Sequence, residues 1–375
     1  MRTIVAEHRK CTFQGGTAIN NNMVIDASLK DFETTDQAVF NVWADRVDEL
    51  GSVAQPILET LAFKRLAAIS FLGILSPSYA QVSRSPIYRR KSIRCAKNIS
   101  ADGSRQSHSL GVALIALDLC RYLGYSPEVQ KYAIAWGLLH DVGNWPLSHT
   151  GEYAFSRVSG ASTKEIRLWL INADRRISSQ YWVRDALLEC GINPARLGSL
   201  FLHQPDRDLE TLSNILRSPL TPDMLEGMWR AGLAFGVDVP SPSQLREVLW
   251  KNLFDRPFTP SSASPAVIRF WRAKSEIYRR FFNSRTVARW ESSWSVSILH
   301  AFKNISLEES FQLSERSIIE RVSELGIPIT SDLHRWKHPQ RYALRSDNTK
   351  ILPNIEIEDL PSILIEEPMD ESIFS

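Results

Sequence analysis

Residues 140–152 read His-Asp-Val-Gly-Asn-Trp-Pro-Leu-Ser-His-Thr-Gly-Glu, two histidines and two acids in thirteen positions of a chain with only eight histidines. Just upstream, Ser126, Pro127 and Glu128 supply an N-cap, a proline at the first helical position and an acid for the first turn. That start predicts a helix running to about His140, and Gly143 and Pro146 end it. His140 and Asp141 therefore stand at a helix C-terminus that leads into a turn. An imidazole nitrogen and a carboxylate oxygen side by side suit one borderline divalent cation. A hydrogen-bonded core histidine is the other reading of the same residues. Asp141 weighs against it, because burying an unpaired carboxylate costs several kcal/mol.

Working outward, Leu110, Leu114, Leu117 and Leu123 recur at helical spacing and predict a helix from about Ser107 to Leu123. His108 falls in its first turn. Two antiparallel helices joined by a short turn would bring His108 beside His140 as a third ligand. Ser264 and Pro265 open another helix, with Ile268, Trp271, Ile277 and Phe281 on one face. Polar loops from Val239 to Ser264 suggest a boundary before it. Strand candidates are few and short, so the fold class is mainly α. Lone His203, His300, His334 and His338 read as core histidines rather than ligands.

The 375 residues are 43% apolar and 23% charged, with 11 Trp and 16 Phe, values of a globular protein that exclude collagen-like, mucin-like and wholly disordered chains. Without a run of about 18 uncharged apolar residues or a leader-like start, the expectation is a soluble, cytoplasmic protein with no membrane partner. Cys11, Cys95, Cys120 and Cys190 are too dispersed for a zinc ribbon or a redox pair. Net charge is only +2, but it is unevenly distributed. From Gln81 to Ala101 there is no acid, while Arg84, Arg89, Arg90, Lys91, Arg94 and Lys97 crowd together. From Ile351 to Ser375 seven acids stand without a base. The first stretch is a solvated basic loop or a phosphate-attracting one, open to single-stranded nucleic acid. The second is an acidic tail that a protein partner could order, with Ile355 to Glu358 as a candidate edge strand.

Arg105-Gln-Ser-His-Ser-Leu-Gly111, the His140–Glu152 segment and Ser218-Pro-Leu-Thr-Pro-Asp-Met-Leu-Glu226 occur in the order that resembles the HD-domain phosphohydrolases, closest to the deoxynucleoside triphosphate triphosphohydrolases. Phe63-Lys-Arg-Leu66 with Leu72-Gly73 is similar to the helix that precedes their first motif, and Ile277–Phe282 gives a weaker echo. The resemblance implies an HD core over 56–237 with a basic insertion at about 76–104. An N-terminal extension (1–55), a C-terminal helical region (238–345) and an acidic tail (346–375) surround it. It implies His108, His140, Asp141 and Asp223 as ligands of a divalent metal, drawn from Mn, Mg, Fe, Co, Ni or Zn. His149 and Glu152 would form a proton-transfer pair, and Arg105, Asn144 and Lys274 would contact a nucleotide or other phosphate substrate. Homo-oligomerisation is also implied. The expected activity is hydrolysis of a nucleotide, with dNTP to deoxynucleoside plus triphosphate the nearest; the alternatives are a phosphodiesterase or nuclease and a nucleotide-sensing module that needs a partner.

Several positions depart from that pattern. Phe71 stands where the family has Gln, Met224 where it has Lys, Gly227 where it has Tyr, Ala231 where it has Asp, and Phe282 where a Tyr would close on the sugar. Trp145 and Tyr153 flank the central segment and could stack on a base or simply pack. Arg279 and Arg280 read as a solvated helix face or a phosphate contact.

Overall fold

The computed structural model describes residues 43, 45–79, 103–217, 220–245 and 265–325. Two short helices, α1 (Ala54–Glu59) and α2 (Leu61–Arg65), lead to the long α3 (Arg105–Tyr122) and α4 (Pro127–Leu139). The Ser104 hydroxyl accepts from the Ser107 amide to cap α3, and Ser126 caps α4 ahead of Pro127, as expected from its sequence. Most of α3 is buried, so it forms the centre of the bundle rather than an amphipathic surface helix.

Helices α3 and α4 form an antiparallel hairpin held at close approach by Gly137. A Cβ on that residue would lie 2.4 Å from the Ala113 Cα. This contact brings the first turn of α3 beside the last turn of α4, and with them His108 beside His140.

The chain continues through α5 (Ser148–Ser159), α6 (Thr163–Asn172), α7 (Arg184–Glu189), α8 (Pro194–Phe201), α9 (Glu210–Leu216) and α10 (Pro222–Phe235). Thr221 caps α10 with Pro222 at its first position, which places Asp223 in the opening turn. Gly143 is the second close approach. A Cβ there would lie 2.1 Å from the Thr163 carbonyl oxygen, so the start of α6 is pressed against the loop that follows Asp141.

The C-terminal helices are α11 (Pro265–Ile277), α12 (Arg285–Ala301), α13 (Leu307–Gln312) and α14 (Glu315–Glu324), with a π-helical turn at Tyr278–Phe282. The buried face of α11 is Val267, Phe270, Trp271 and Ile277, whereas Ile268 is only half-buried. Their apolar side chains join those of α1–α10 in one continuous core, which also takes in Trp43, Leu50 and Val53. Packing runs unbroken across residue 55, and the C-terminal helices share the core of the preceding ones.

The mainly α reading holds. The short strands reduce, among the described residues, to an isolated bridge between Ser70 and Ser104. Ile355–Glu358, most of the basic insertion (80–102), the acidic tail, His334 and His338 lie outside the described residues. His203 and His300 are exposed and so are not the core histidines expected. Cys120 is buried and Cys190 half-buried, both as free thiols. Among the described residues no helix is long and apolar enough to cross a membrane.

Candidate metal centre and active site

His108 comes from the first turn of α3, His140 caps the C-terminus of α4, and Asp223 comes from the first turn of α10. Their donor atoms meet at one point. His108 Nε2 lies 3.1 Å from Asp223 Oδ1 and 3.2 Å from His140 Nε2, and His140 Nε2 is 3.8 Å from Asp223 Oδ1. Asp141 Oδ2 reaches the same place, 3.4 Å from His140 Nε2 and 3.8 Å from His108 Nε2. Both histidines are buried, while Asp223 is half-exposed and opens the point to solvent.

The outer ring nitrogens are fixed. His140 Nδ1 bonds the Gly137 carbonyl at 2.8 Å, and His108 Nδ1 bonds Glu226 Oε2 at 2.5 Å. Each contact makes Nδ1 the donor and turns Nε2 inward, the arrangement that orients imidazoles on a metal. His108, His140 and Asp223 thus fit a divalent cation by donor type, convergence and second-layer support.

Protonation supports that fit. Burial opposes charge on His108, but Glu226 and Asp223 outweigh it and raise the imidazole to about 9. Burial pushes His140 below its ordinary value. Burial would raise Asp223, yet its hydrogen bond to His108 and the charges of both histidines bring it to about 2. At neutral pH without a cation, the proton on His108 Nε2 therefore faces the Asp223 carboxylate and the free Nε2 of His140. A metal must displace that proton. We expect about one proton released per metal bound at pH 7, measurable by calorimetric titration in buffers of different ionisation enthalpy. A heat independent of buffer would refute it.

Glu226 is a residue whose role the sequence did not reveal. It is fully buried one turn after Asp223, where it accepts from Trp43 Nε1 (3.1 Å), pairs with Arg230 and holds His108. Burial would raise its carboxyl, but Arg230 and His108 bring it down to about 2. The acid three positions after Asp223 was its only trace in the sequence.

Arg105 is buried and heavily committed within the protein. Nη1 donates to Asp141 Oδ2 (2.7 Å), Nε to Ser148 Oγ (3.0 Å) and Nη2 to the Phe71 carbonyl (3.1 Å). Burial pushes the Asp141 carboxyl upward, but the adjacent Arg105 charge and the two histidines hold it well below the usual carboxylate range. Its first task in this geometry is to position Asp141. His149 stands exposed on α5 with Nδ1 3.3 Å from Glu152 Oε2 and Nε2 3.5 Å from Arg105 Nη2. Glu152 also accepts from Thr163 Oγ1 at 3.0 Å. The expected His149–Glu152 pair is therefore assembled at the edge of the donor cluster.

Other expected contacts resolve differently. Trp145 and Tyr153 are buried, so both pack and neither offers a face to a base. Trp145 instead lies against Phe155 and Phe311. Asn144 is half-buried and its carbonyl accepts from Arg65 Nη2 at 2.8 Å. Lys274 Nζ lies 3.5 Å from Met224 Sδ and over the rings of Trp271 and Tyr278, so a basic group from α11 stands beside the position where Met224 replaces a lysine. Phe282 packs edge-on against Phe235. Arg280 pairs with Glu276, and both Arg279 and Arg280 are on an exposed face.

Two departures prove to be one exchange. The Phe71 ring packs 4.4 Å from the His108 ring, and a Cβ on Gly227 would lie 3.0 Å from its tip. A large residue at 227 would need the space that Phe71 fills.

An HD domain profile matches Arg105–Ile177. A deoxyguanosinetriphosphate triphosphohydrolase-like protein of Corynebacterium efficiens is 43% identical over 58 residues, 16% of this chain and 13% of that protein's length. The crystal structure of a hypothetical protein from Aquifex aeolicus is similar with a TM-score of 0.55 at 19% identity, covering 76% of this chain and 72% of that one; this likeness is one of fold. The matched segment supplies Arg105, His108, His140 and Asp141, and α10 adds Asp223, so the chain contains a segment similar to an HD domain together with a donor set that fits a divalent cation.

Proposed function

We propose that the protein hydrolyses a nucleoside polyphosphate, with cleavage of a dNTP to deoxynucleoside and triphosphate as the nearest specific activity. The observation that carries this reading is the meeting of His108, His140 and Asp223 beside the Arg105–Asp141 pair, with His149–Glu152 at the rim. The short match to the Corynebacterium efficiens protein supports the substrate class. His108, His140, Asp141 and Asp223 would hold the cation, which when bound polarises a phosphoryl oxygen and acidifies water.

The chain's own groups do the rest. Arg105 keeps Asp141 ionised and aimed at the cluster. Glu152 accepts a hydrogen bond from His149 Nδ1–H, which leaves Nε2 to accept a proton from water or, once protonated, to give it to the leaving oxygen. Phe71 and Gly227 put an apolar ring beside His108 where the family has polar contacts. That exchange predicts weak discrimination of the sugar, because a pocket without a hydrogen bond to a hydroxyl rejects its presence or absence poorly.

The test is product analysis by mass spectrometry on metal-loaded protein offered dNTPs, NTPs, cyclic nucleotides and single-stranded DNA. Deoxynucleoside plus triphosphate is expected, with Asp141→Asn inactive and His149→Ala reduced about 10²- to 10⁴-fold in kcat at unchanged metal content. Shortened oligonucleotides would select the nuclease reading, and no product despite bound metal would select the partner-dependent sensor.

A further inference from the structure

Arg167 lies on α6, the helix whose first turns are pressed against the active-site loop. A Cβ on Gly143 would meet the Arg167 amide nitrogen at 2.9 Å, and Thr163 at the start of the same helix bonds Glu152. The Arg167 guanidinium lies 4.9 Å over the Phe201 ring. Phe201 stacks on Trp136 and Trp136 on His140, with centroids 6.0 and 5.6 Å apart. A column of stacked rings therefore connects Arg167 to one of the candidate metal ligands.

Arg65 Nη1 and Arg167 Nε are both buried without a partner, but Arg65 donates through its other nitrogens to the Phe311 and Asn144 carbonyls. Among the described residues the Arg167 guanidinium makes no ion pair. The carboxylates whose charges reach it are Asp141, Asp223 and Glu152, all in the metal centre or the proton-transfer pair. Leaving a buried charged donor unsatisfied is costly, and such a group is retained where something else supplies the acceptor. Lys164, His203 and Arg217 stand exposed around it, and His203 is lowered by partial burial and then by Arg217, Lys164 and Arg167. Arg105, by contrast, has all three nitrogens engaged with protein acceptors.

We propose that Arg167, flanked by Lys164, His203 and Arg217, binds the phosphates of the substrate that do not react. This deepens the nucleoside polyphosphate reading and rests on it. The ligand class is a chain of two or more phosphates, one at the metal centre and the next on the guanidinium of Arg167. A monophosphate would engage the centre alone. Planar, forked donors make Arg suited to such oxygens, and each charge-assisted bond is among the stronger polar contacts.

The experiment titrates the full chain by calorimetry with inorganic triphosphate and with orthophosphate, in saturating magnesium so that protein and ligand stay metal-loaded. Wild type is expected to bind triphosphate more tightly than orthophosphate. Arg167→Gln should weaken triphosphate about 10- to 100-fold and orthophosphate less than about twofold. Arg167→Lys should recover part of the loss. Arg217→Gln, altering an exposed side chain that a folding defect would not confound, should cost triphosphate about two- to fivefold.

Equal triphosphate affinity in wild type and Arg167→Gln would overturn the proposal. So would equal losses for both ligands, which would place the effect on the metal centre. If Arg167→Gln shows the selective loss while no nucleotide is hydrolysed, the binding site stands and the catalytic reading falls. Turnover without any effect of Arg167→Gln or Arg217→Gln gives the reverse.

Discussion

Glu226→Ala is expected to lower folding stability by about 3–5 kcal/mol and to weaken metal binding about 10- to 100-fold. Glu226 is completely buried and holds three partners from three parts of the chain: Trp43, His108 and Arg230. Removing it strands the Arg230 guanidinium, which is 2% exposed, without its principal counter-charge. That stranded charge, rather than the lost attraction, makes the effect large. The metal effect has a separate cause. Without Glu226, nothing fixes Nδ1 of His108 as donor, so the imidazole can rotate or change tautomer and Nε2 no longer points at Asp223 and His140.

The pH dependence follows from the same contacts. Glu226 sits at about 2 when folded, below its ordinary value, so its contribution is present above about 4.5 and is lost as pH falls through 2. His108 in the metal-free protein sits at about 9, above its ordinary value, so its contribution is full below about 6.5 and is lost as pH rises through 9. Metal-free wild type should therefore lose stability in alkali more steeply than metal-loaded protein, and Glu226→Gln should flatten that difference. Chemical denaturation across pH, with and without metal, reads both effects. A Glu226→Ala protein of native stability and metal affinity would show that this hub is dispensable.

The parts of the site that the sequence disclosed are those carried by local pattern. Ser126–Pro127 starts a helix at a fixed point, so the position of His140 follows from counting, whereas Asp223 was legible only through the family resemblance of Ser218–Glu226 and its Thr221 cap emerged with the structure. His108 was legible because a short connection forces α3 and α4 to be antiparallel. What lacks a local pattern stayed hidden. Nothing in the chain says that Phe71 will occupy the space left by Gly227, more than 150 residues away, so two apparent losses of polar contacts could not be recognised as one exchange. Arg167 fits the ordinary polar face of a helix, and only the tertiary contact with Gly143 sets its backbone against the loop that follows Asp141. Trp145 shows the converse. An aromatic in an active-site loop gives the same signal whether it stacks on a ligand or packs, and the structure buries it among Phe155 and Phe311.

Glu315→Ala is expected to cost about 3–5 kcal/mol and to reduce kcat at least about tenfold at a residue that touches no candidate ligand. Its carboxylate, 2% exposed at the start of α14, accepts from the Ser70 amide at 2.9 Å, the Leu147 amide at 2.5 Å and the Tyr79 hydroxyl at 2.6 Å. The truncation leaves these donors without their acceptor in the interior, each at about 1–3 kcal/mol. Leu147 and Ser148 both adopt left-handed backbone (φ 61° and 48°), a conformation that side chains larger than glycine enter at a cost. The Glu315 contact to the Leu147 amide helps hold that turn.

The turn in turn places Ser148, whose hydroxyl donates to the Ser70 carbonyl at 2.5 Å and accepts from Arg105 Nε at 3.0 Å. Arg105 then fixes Asp141. Relaxation of the turn should thus reach the metal centre through Ser148 and Arg105, with a loss of order in Asp141 larger than any change in metal stoichiometry. Ser148→Ala tests that path separately, because it removes the link to Arg105 while keeping Glu315 and its donors. It should lower kcat in the same direction with a smaller loss of stability. Thermal unfolding, metal content and kcat measured on both variants decide the matter: native kcat in both would mean that α14 supports the fold without positioning the chemistry.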